Sequence, residues 1–565
     1  MAATTDALIM ADDNNPNNDA EAGQVKFNKD SESIDVNAEQ KLIGLTKEQL
    51  ERYRNDPLWK PIRYTLFALF WLVWIGMFAG AILIVVMSPK CAAKKDKQYY
   101  ENMVAYQIFT PTFKDSDGDG VGDFNGIKEK LNDLRRNGIT TVWPTPILTT
   151  TKDDFSVAEI TDSLKIDHRF GDEADLKALI ERAHDLNLYF IADLPLTISA
   201  ANPQATQQGI GGDSKVKLLN LNVQAAYQSV KTTASELIKL GVDGLNFAQY
   251  GLTYPPRTVD AQKLDQLATD IRRENAERFY NGADKFVFIS DLPVDKTPHA
   301  INFYSRSLAQ FPNIQPVCTT KDFVDCLKES ARTGLNQIKR NASSLPLWQI
   351  GDLSHSRADS LFDNVGNLTA QANSLVTAMQ LFLPGPVKVY YGEELGLPSV
   401  NKSGGSQLMQ WEGTNKGFTD LTGKLYFDSL PSEQAEQLNF KAQSDATHSH
   451  LKVFKQLAGW RVRDEVFTDG RFDNGKVDGI NVFLRSLEGN DKAYLLVTNW
   501  PSNGEKSPRQ FTVNKLVELF KLKVGSAEFL IDHPVNEKND WQINLDTKLT
   551  INPYEFGVIR VQVLA

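Results

Sequence analysis

The stretch YQIFTPTFKDSDGDGVGDF, residues 106–124, joins a short apolar run to a loop rich in aspartate and glycine. An apolar run of this length that ends at turn residues is typical of a buried β-strand. Similar runs recur along the chain, separated by amphipathic helical patterns such as residues 127–136 and 173–186. The predicted strands are residues 105–109, 140–143, 189–192, 244–247, 286–289 and 387–390. This alternation predicts an α/β fold in which a parallel sheet closes into a (β/α)8 TIM barrel over residues 99–476.

The end of the chain has a different pattern. Apolar runs follow one another without helices between them, and Asn, Gly, Asp and Pro turns separate them. The predicted strands are residues 480–485, 494–498, 528–531 and 558–563. Such a succession predicts a small antiparallel β domain over residues 477–565.

Residues 64–87 contain no charged side chain. As a helix they would extend about 36 Å, enough to cross the hydrocarbon core of a bilayer. A cleaved signal peptide is the competing interpretation, but this segment is too long and starts too far from the N-terminus. We therefore predict a single transmembrane helix, preceded by a mostly disordered tail, residues 1–63, with a short helix near the membrane, and followed by a neck, residues 88–98.

The orientation of this helix depends on glycosylation signals, because basic residues are balanced at its two ends. Three sequons, at Asn341, Asn367 and Asn401, follow the helix, whereas residues 1–63 contain none. We therefore expect a single-pass type II glycoprotein with a signal-anchor, a cytoplasmic tail and an extracellular C-terminal domain. The net charge of −10 gives no reason to propose a nucleic acid as partner.

The chain has three cysteines. Cys318 and Cys326 are close enough in sequence to form a disulfide with each other or to stay free. Cys91, in the polar neck, is then left over. An odd cysteine in an oxidising compartment suggests an intermolecular disulfide or a reactive thiol.

The aspartate-rich loop places oxygen donors at alternate positions around a glycine bend, an arrangement that a hard cation such as Ca²⁺ requires. A solvated acidic turn without metal is the alternative. The candidate Ca²⁺ ligands are Asp115, Asp117, Asp119, Asp123 and the carbonyl oxygen of Val121.

Several motifs resemble the α-glucosidases of the α-amylase superfamily, and the resemblance covers residues 99–565. They are residues 106–124, WPTPI at 143–147, LPG at 383–385 with YYGEELG at 390–396, and MQWE at 409–412. Retaining glycosidases of this class need two carboxylates roughly 5 Å apart, one as nucleophile and one as general acid/base. In that family the acidic loop binds Ca²⁺.

The catalytic motifs of that family are altered in this chain. In the run VDGLNFA, residues 242–248, Asn246 stands where the family has arginine and Ala248 where it has the nucleophilic aspartate. Asp193 and Arg357 match family positions, and we interpret them as structural remnants. The remaining positions of lost catalytic groups are Ile198 and Leu353 for two histidines, Ser354 for an aspartate and Asp291 for the general-acid glutamate. The resemblance implies a barrel without hydrolytic activity.

The N-terminal part narrows the family. GLTKEQL at residues 44–50, FWLVWIGMFAGA at 70–81 and PKC at 89–91 are similar to the heavy subunits of heteromeric amino-acid transporters, of the surface-antigen type. This resemblance implies a multi-spanning light chain that the heavy subunit carries to the plasma membrane through a disulfide at Cys91. Gly76 and Gly80 form a small-xxx-small face that would let a partner helix dock closely.

Two other functions compete with the non-catalytic transporter subunit. One is a membrane-anchored α-glucosidase, which Ala248 opposes. The other is a surface adhesion or signalling protein that has no transporter partner. The sequence does not identify the light chain or the amino acids transported.

Overall fold

The computed structural model divides into two units, Met1–Lys95 and Asp96–Ala565. The residues that it describes are 47–54, 56–87, 98–150, 155, 160–199, 216–248, 261–279, 286–290, 303–307, 345–351, 353, 357, 368–400, 406–413, 417–419, 425–501, 507–533 and 541–564.

The N-terminal unit contains two helices, α1 (Lys47–Arg54) and α2 (Trp59–Met87). Helix α2 is long and apolar enough to cross a membrane over Trp59–Ile84. It begins at Trp59, before the predicted start at residue 64. Pro61 is compatible with this start, since it lies in the first turn, where a missing N–H costs no helical hydrogen bond. The predicted apolar helix and the short helix before it are therefore both present.

Eight parallel strands form a closed barrel in the larger unit. They are β1 (Val104–Phe109), β2 (Thr141–Thr145), β3 (Tyr189–Pro195), β4 (Gly244–Ala248), β5 (Val287–Ser290), β6 (Phe303–Ser307), β7 (Leu345–Gln349) and β8 (Val387–Tyr390). Each strand pairs with the next in chain order, and β8 closes the ring on β1. The predicted TIM barrel is confirmed.

The helices of this unit cover the barrel and follow its strands. They are Thr110–Phe113, Phe124–Arg136, Glu173–Asp185, Gln224–Leu240, Ala261–Glu274, Ala276–Phe279, Thr369–Phe382, Ser432–Ala435, Phe440–Asp445, His450–Arg463 and Glu465–Thr468, with 3₁₀ turns at Tyr99–Glu101, His168–Phe170 and Glu393–Leu395. Two small hairpins, Leu148–Thr150 with Ile160–Ile166 and Thr197–Ser199 with Val216–Leu218, extend from strands β2 and β3.

Successive residues of the barrel strands face opposite sides, so the barrel has two apolar layers. Residues that face outward, such as Val104 and Tyr106, pack against the helices. Residues that face inward form a separate cluster: Met103, Ala105, Trp143, Ile191, Val287, Ile289 and Leu347. The interior of the barrel is therefore filled with side chains.

The C-terminal part forms a six-stranded antiparallel sheet. Its strands are β9 (Arg471–Val477), β10 (Ile480–Ser486), β11 (Lys492–Thr498), β12 (Val524–His533), β13 (Trp541–Ile543) and β14 (Phe556–Val563), in the order β9-β10-β11-β14-β12-β13. A ribbon of Arg509–Phe511 with Leu549–Ile551 and the helix Val513–Leu519 accompany it. The predicted antiparallel domain is confirmed, and its first strand begins at Arg471, ahead of the expected boundary at residue 477.

Candidate functional site

The carboxyl ends of β3 and β4 form the part of the barrel mouth that the glucosidase resemblance singles out. Asp193 and Asn246 lie opposite each other in the register of these strands. Asp193 Oδ1 accepts hydrogen bonds from Asn246 Nδ2 at 2.9 Å and from the indole Nε1 of Trp143 at 2.8 Å. The neighbouring side chains therefore bind this carboxylate and hold it in the wall of the barrel.

Ala248 ends strand β4 and is fully buried. Its backbone carbonyl accepts a hydrogen bond from Leu196 N at 2.9 Å, which fixes the end of the strand. A methyl group thus occupies the place where the resemblance puts a nucleophilic carboxylate. A methyl group cannot form the covalent intermediate of a double displacement.

The positions that replace the two histidines are also apolar. Ile198 is buried in the hairpin after β3, and Leu353 packs partly buried against the main core. Neither side chain can donate a hydrogen bond to a sugar hydroxyl. Asp291 and Ser354 lie outside the described residues.

Arg357 is almost completely buried near the end of β8. Its guanidinium donates to the carbonyl oxygen of Tyr391 and lies over the rings of Tyr390 and Tyr391, at 5.0 and 4.8 Å from their centroids. These contacts hold the turn that follows β8, which supports the interpretation of Arg357 as a structural residue.

Two adjacent glutamates after β8 were not singled out from the sequence. Glu393 accepts from the backbone N–H groups of Gly351 and Tyr390, and Glu394 accepts from the Tyr106 hydroxyl at 2.7 Å. Burial raises the pKa of each carboxyl to about 7. The available signal was the pair of acidic residues directly after a predicted buried strand.

The aspartate loop is organised by its own hydrogen bonds. Asp115 accepts from the backbone N–H groups of Asp117, Gly118 and Gly120 and from the hydroxyl of Thr419. Burial by itself would raise the pKa of Asp115, but these donors lower it below its ordinary value. Hydrogen bonds from its own backbone therefore organise the loop around Asp115.

Asp123 links this loop to the helix Phe124–Arg136. Its Oδ1 accepts from Gly126 N at 2.8 Å, as an N-cap, and from the Ser116 hydroxyl at 2.7 Å. Its Oδ2 accepts from Ser116 N at 2.6 Å. The side chain thus fixes both the start of the helix and the fold of the loop.

Three of the predicted metal ligands converge. Oxygen atoms of Asp115, Asp117 and Asp123 lie within 4.8 Å of one another, which suits a hard cation. Asp119 is not part of this group, and its Oδ1 accepts from Val121 N at 2.7 Å. Burial, followed by the negative charge of the neighbouring aspartates, raises the pKa of Asp119. The three converging carboxylates are therefore the part of the predicted ligand set that could hold a Ca²⁺ ion together.

Within helix α2, Gly76 and Gly80 leave open space beside the backbone, since a methyl group built on either would meet no atom within 4 Å. Other predicted sites lie outside the described part of the chain. These are the three cysteines Cys91, Cys318 and Cys326 and the sequons at Asn341, Asn367 and Asn401.

Two protein families match different parts of the chain. Residues 30–106 match the family described as solute carrier family 3 member 2 N-terminus. Residues 107–201 and 299–470 match the family described as alpha amylase, catalytic domain. The chain therefore combines a barrel that is similar to the alpha amylase catalytic domain with an N-terminal region that contains an apolar helix.

Two transporter heavy chains align with this chain over most of their length. The amino acid transporter heavy chain SLC3A1 of Rattus norvegicus is 23% identical, over 86% of this chain and 82% of the relative. The amino acid transporter heavy chain SLC3A2 of Mus musculus is 22% identical, over 91% and 88% respectively. The chain is therefore related to the heavy chains of amino-acid transporters.

A solved structure with the same fold is an enzyme. Bacillus licheniformis trehalose-6-phosphate hydrolase superimposes with a TM-score of 0.64 at 17% identity, covering 82% of this chain and 100% of the hydrolase. At this identity the similarity establishes the fold alone.

Proposed function

We propose that this chain is the non-catalytic heavy subunit of a heteromeric amino-acid transporter. The observation that carries the proposal is Ala248, a methyl group at the strand end where a glycosidase barrel needs its nucleophile. The sequence similarity to transporter heavy chains, which includes the N-terminal region, supports it. In this role the barrel acts as an extracellular domain that stabilises a multi-spanning light chain and accompanies it to the plasma membrane.

The proposed link to the light chain is a disulfide at Cys91, just beyond the apolar helix. The open face at Gly76 and Gly80 would add close helix packing, because small residues let two backbones approach each other in a bilayer. The heterodimer would then be held both covalently and by contacts within the membrane.

Non-reducing gels of surface-labelled protein test this link. We expect a species heavier than the monomer by the mass of a membrane permease, which reduction converts to the monomer. Cys91→Ser should remove this species, and the matched control Cys318→Ser should leave it unchanged. A Cys91 thiol that stays free at the cell surface, or that is bonded to Cys318 or Cys326, would contradict the proposal.

The proposed topology is type II, with the barrel outside the cell and glycans on Asn341, Asn367 and Asn401. Enzymatic deglycosylation should lower the apparent mass, and protease added to intact cells should digest residues 98–565. A C-terminal domain that carries no glycan and is protected inside the cell would reverse this topology.

We also propose that the aspartate loop binds a structural Ca²⁺ ion. Asp115, Asp117 and Asp123 would provide the main ligands, and Asp119 and the Val121 carbonyl would complete the set. The ion would neutralise the clustered carboxylates and hold the loop to the start of the following helix.

A membrane-anchored α-glucosidase is the alternative function, favoured by the enzyme of the same fold and by Asp193 at the barrel mouth. Hydrolysis of maltose or an aryl glucoside by the purified chain distinguishes the two. We expect no turnover above a blank. Activity that follows the chain through every purification step would replace the proposal with the enzyme.

A further inference from the structure

The short helix before the apolar helix exposes a face of mixed character. Leu50 and Tyr53 of helix α1 are three positions apart, so they lie on the same face of the helix. Their side chains are 57% and 48% exposed. Arg54 follows Leu50 by four positions, and its side chain is also exposed. Helix α1 therefore presents apolar side chains next to a cation.

A short turn joins α1 to α2. Pro57 interrupts the helix, because the residue before a proline is disfavoured in the helical conformation. Asp56 closes the turn, since its Oδ1 accepts from Leu58 N at 2.9 Å and its carbonyl oxygen from Lys60 N at 3.2 Å. The two helices also contact each other. Helix α1 is thus a separate element that is held close to the start of α2.

The first turns of α2 have the same mixed character. Trp59 and Ile62 are exposed, and so are the cations Lys60 and Arg63 beside them. The uncharged run begins directly afterwards, at Tyr64. If α2 crosses a bilayer, these residues lie at the level of the lipid headgroups, where Trp, Lys and Arg side chains are favourable.

The charge of this part of the chain is opposite to that of the whole. Residues 47–63 contain five basic and three acidic residues, whereas the net charge of the chain is −10. Each Lys or Arg near an anionic membrane surface strengthens binding roughly fivefold. Apolar side chains beside cations are typical of helices that lie in a membrane interface. A neutral surface would leave the cations without a binding partner, so the charge favours an anionic one.

We propose that the juxtamembrane segment, residues 47–54 and 56–63, binds the anionic phospholipid surface at the membrane face where α2 begins. Its apolar and aromatic side chains enter the headgroup region. Its exposed cations Arg54, Lys60 and Arg63 bind the phosphate and carboxylate oxygens of lipids such as phosphatidylserine. This inference goes beyond the transporter role and requires only that α2 crosses the membrane.

Hydrogen exchange of the full-length chain in nanodiscs tests the inference. The nanodiscs contain phosphatidylcholine alone or a mixture with phosphatidylserine. A helix of eight residues opens readily in water, so binding to the lipid surface should protect its backbone amides. We expect exchange in Lys47–Arg54 to slow at least fivefold when phosphatidylserine is present, the effect of one basic residue. High salt should reverse this protection, because it screens the charges.

Charge removal shows whether the cations are responsible. The test variant replaces the three exposed cations of the juxtamembrane segment by glutamine: Arg54→Gln, Lys60→Gln and Arg63→Gln. The matched control makes the same change of charge at three lysines of the larger unit that are more than half exposed: Lys177→Gln, Lys239→Gln and Lys441→Gln. The test variant should lose the response to phosphatidylserine, and the control should keep it. The comparison of lipids and salt in the unmodified chain needs no variant.

Three results would overturn the inference. They are equal exchange in α1 with and without phosphatidylserine, protection that survives high salt, and a test variant that responds as the control does. A chain that does not enter nanodiscs at all would also reject the proposed membrane crossing of α2. Failure of the lipid contact can therefore be distinguished from failure of the proposed topology.

Discussion

The aspartate loop and the barrel mouth are the two regions where the resemblance to α-glucosidases predicts functional carboxylates, yet they differ in the side chains that those positions contain. In the loop, Asp115 and Asp123 bind backbone N–H groups and thereby hold the chain in place. At the mouth, the nucleophile position is Ala248, and Leu196 N binds its carbonyl rather than its side chain. We therefore expect the loop carboxylates to contribute to the stability of the fold, whereas the end of strand β4 is held by its backbone and needs no carboxylate at position 248.

The largest effect is expected from Asp115→Ala, because this side chain is 2% exposed and accepts four hydrogen bonds. Losing its charge-assisted bonds should lower the free energy of unfolding by about 3 kcal/mol. Asp117→Ala is the matched control, since this exposed side chain accepts a single bond from Asp119 N, and both variants are compared in EDTA because Asp117 is also a proposed Ca²⁺ ligand. Equal melting temperatures of the two variants would show that the hydrogen bonds of Asp115 add no stability beyond the contribution of Asp117.

Glu394 provides a pH-dependent test at the mouth. Burial raises its pKa from 4.5 to about 7, so the folded state binds this proton more tightly than the unfolded state. The resulting stability is fully present below pH 4.5 and is lost as the pH rises through 7.

Glu394→Gln keeps an acceptor for the Tyr106 hydroxyl but does not ionise. Relative to the unmodified chain, it should gain on the order of 2 kcal/mol between pH 5 and pH 8. Melting temperatures across this range measure the gain, and the exposed Glu412→Gln should show none. A Glu394→Gln curve parallel to that of the unmodified chain would mean that Glu394 is ionised throughout.

A smaller effect is expected from Ca²⁺ at the loop. At ten times its dissociation constant the ion should raise the free energy of unfolding by about 1.4 kcal/mol, and EDTA should reverse the gain. Asp117→Ala should abolish this response, since Asp117 belongs to the converging group but contributes little to the fold.

Asp119→Ala tests the wider ligand set. Loss of the Ca²⁺ response in this variant would include Asp119 among the ligands, and an unchanged response would limit the site to the three converging carboxylates. No change of melting temperature with Ca²⁺ or EDTA in the unmodified chain would reject the metal at this loop.

We expect Ala248→Asp to have no effect on glucoside hydrolysis. The new carboxylate would restore the nucleophile position, but Ile198 and Leu353 provide no hydrogen bonds to a sugar. Release of nitrophenol from an aryl glucoside should stay at the level of the blank, provided that circular dichroism shows the variant to be folded. Measurable turnover would mean that the single substitution Ala248→Asp is enough to make the barrel mouth catalytically active.

The strands that could be predicted from the sequence are those with uninterrupted apolar runs, such as β1 and β8. Strands β6 (FYSRS) and β7 (LPLWQ) were not predicted, because the first contains polar residues and the second a proline. Strand β9 was also missed, since its residues are polar and half-exposed. These strands form because neighbouring strands provide hydrogen-bonding partners for their backbones, and a local sequence pattern does not reveal such partners.

By itself the sequence determined the apolar helix, the alternation of strands and helices, the oxygen pattern of the aspartate loop and the alanine at position 248. All of these are local properties, set by residue type and spacing. Only the tertiary structure decided that Trp143 contacts both Asp193, through its indole N–H, and Lys388, through its ring. It also decided that Glu394 is buried, which raises the pKa of its carboxyl to about 7. Closing the barrel buries residues from strands that are far apart in sequence next to one another, and burial then changes the energy of each charge.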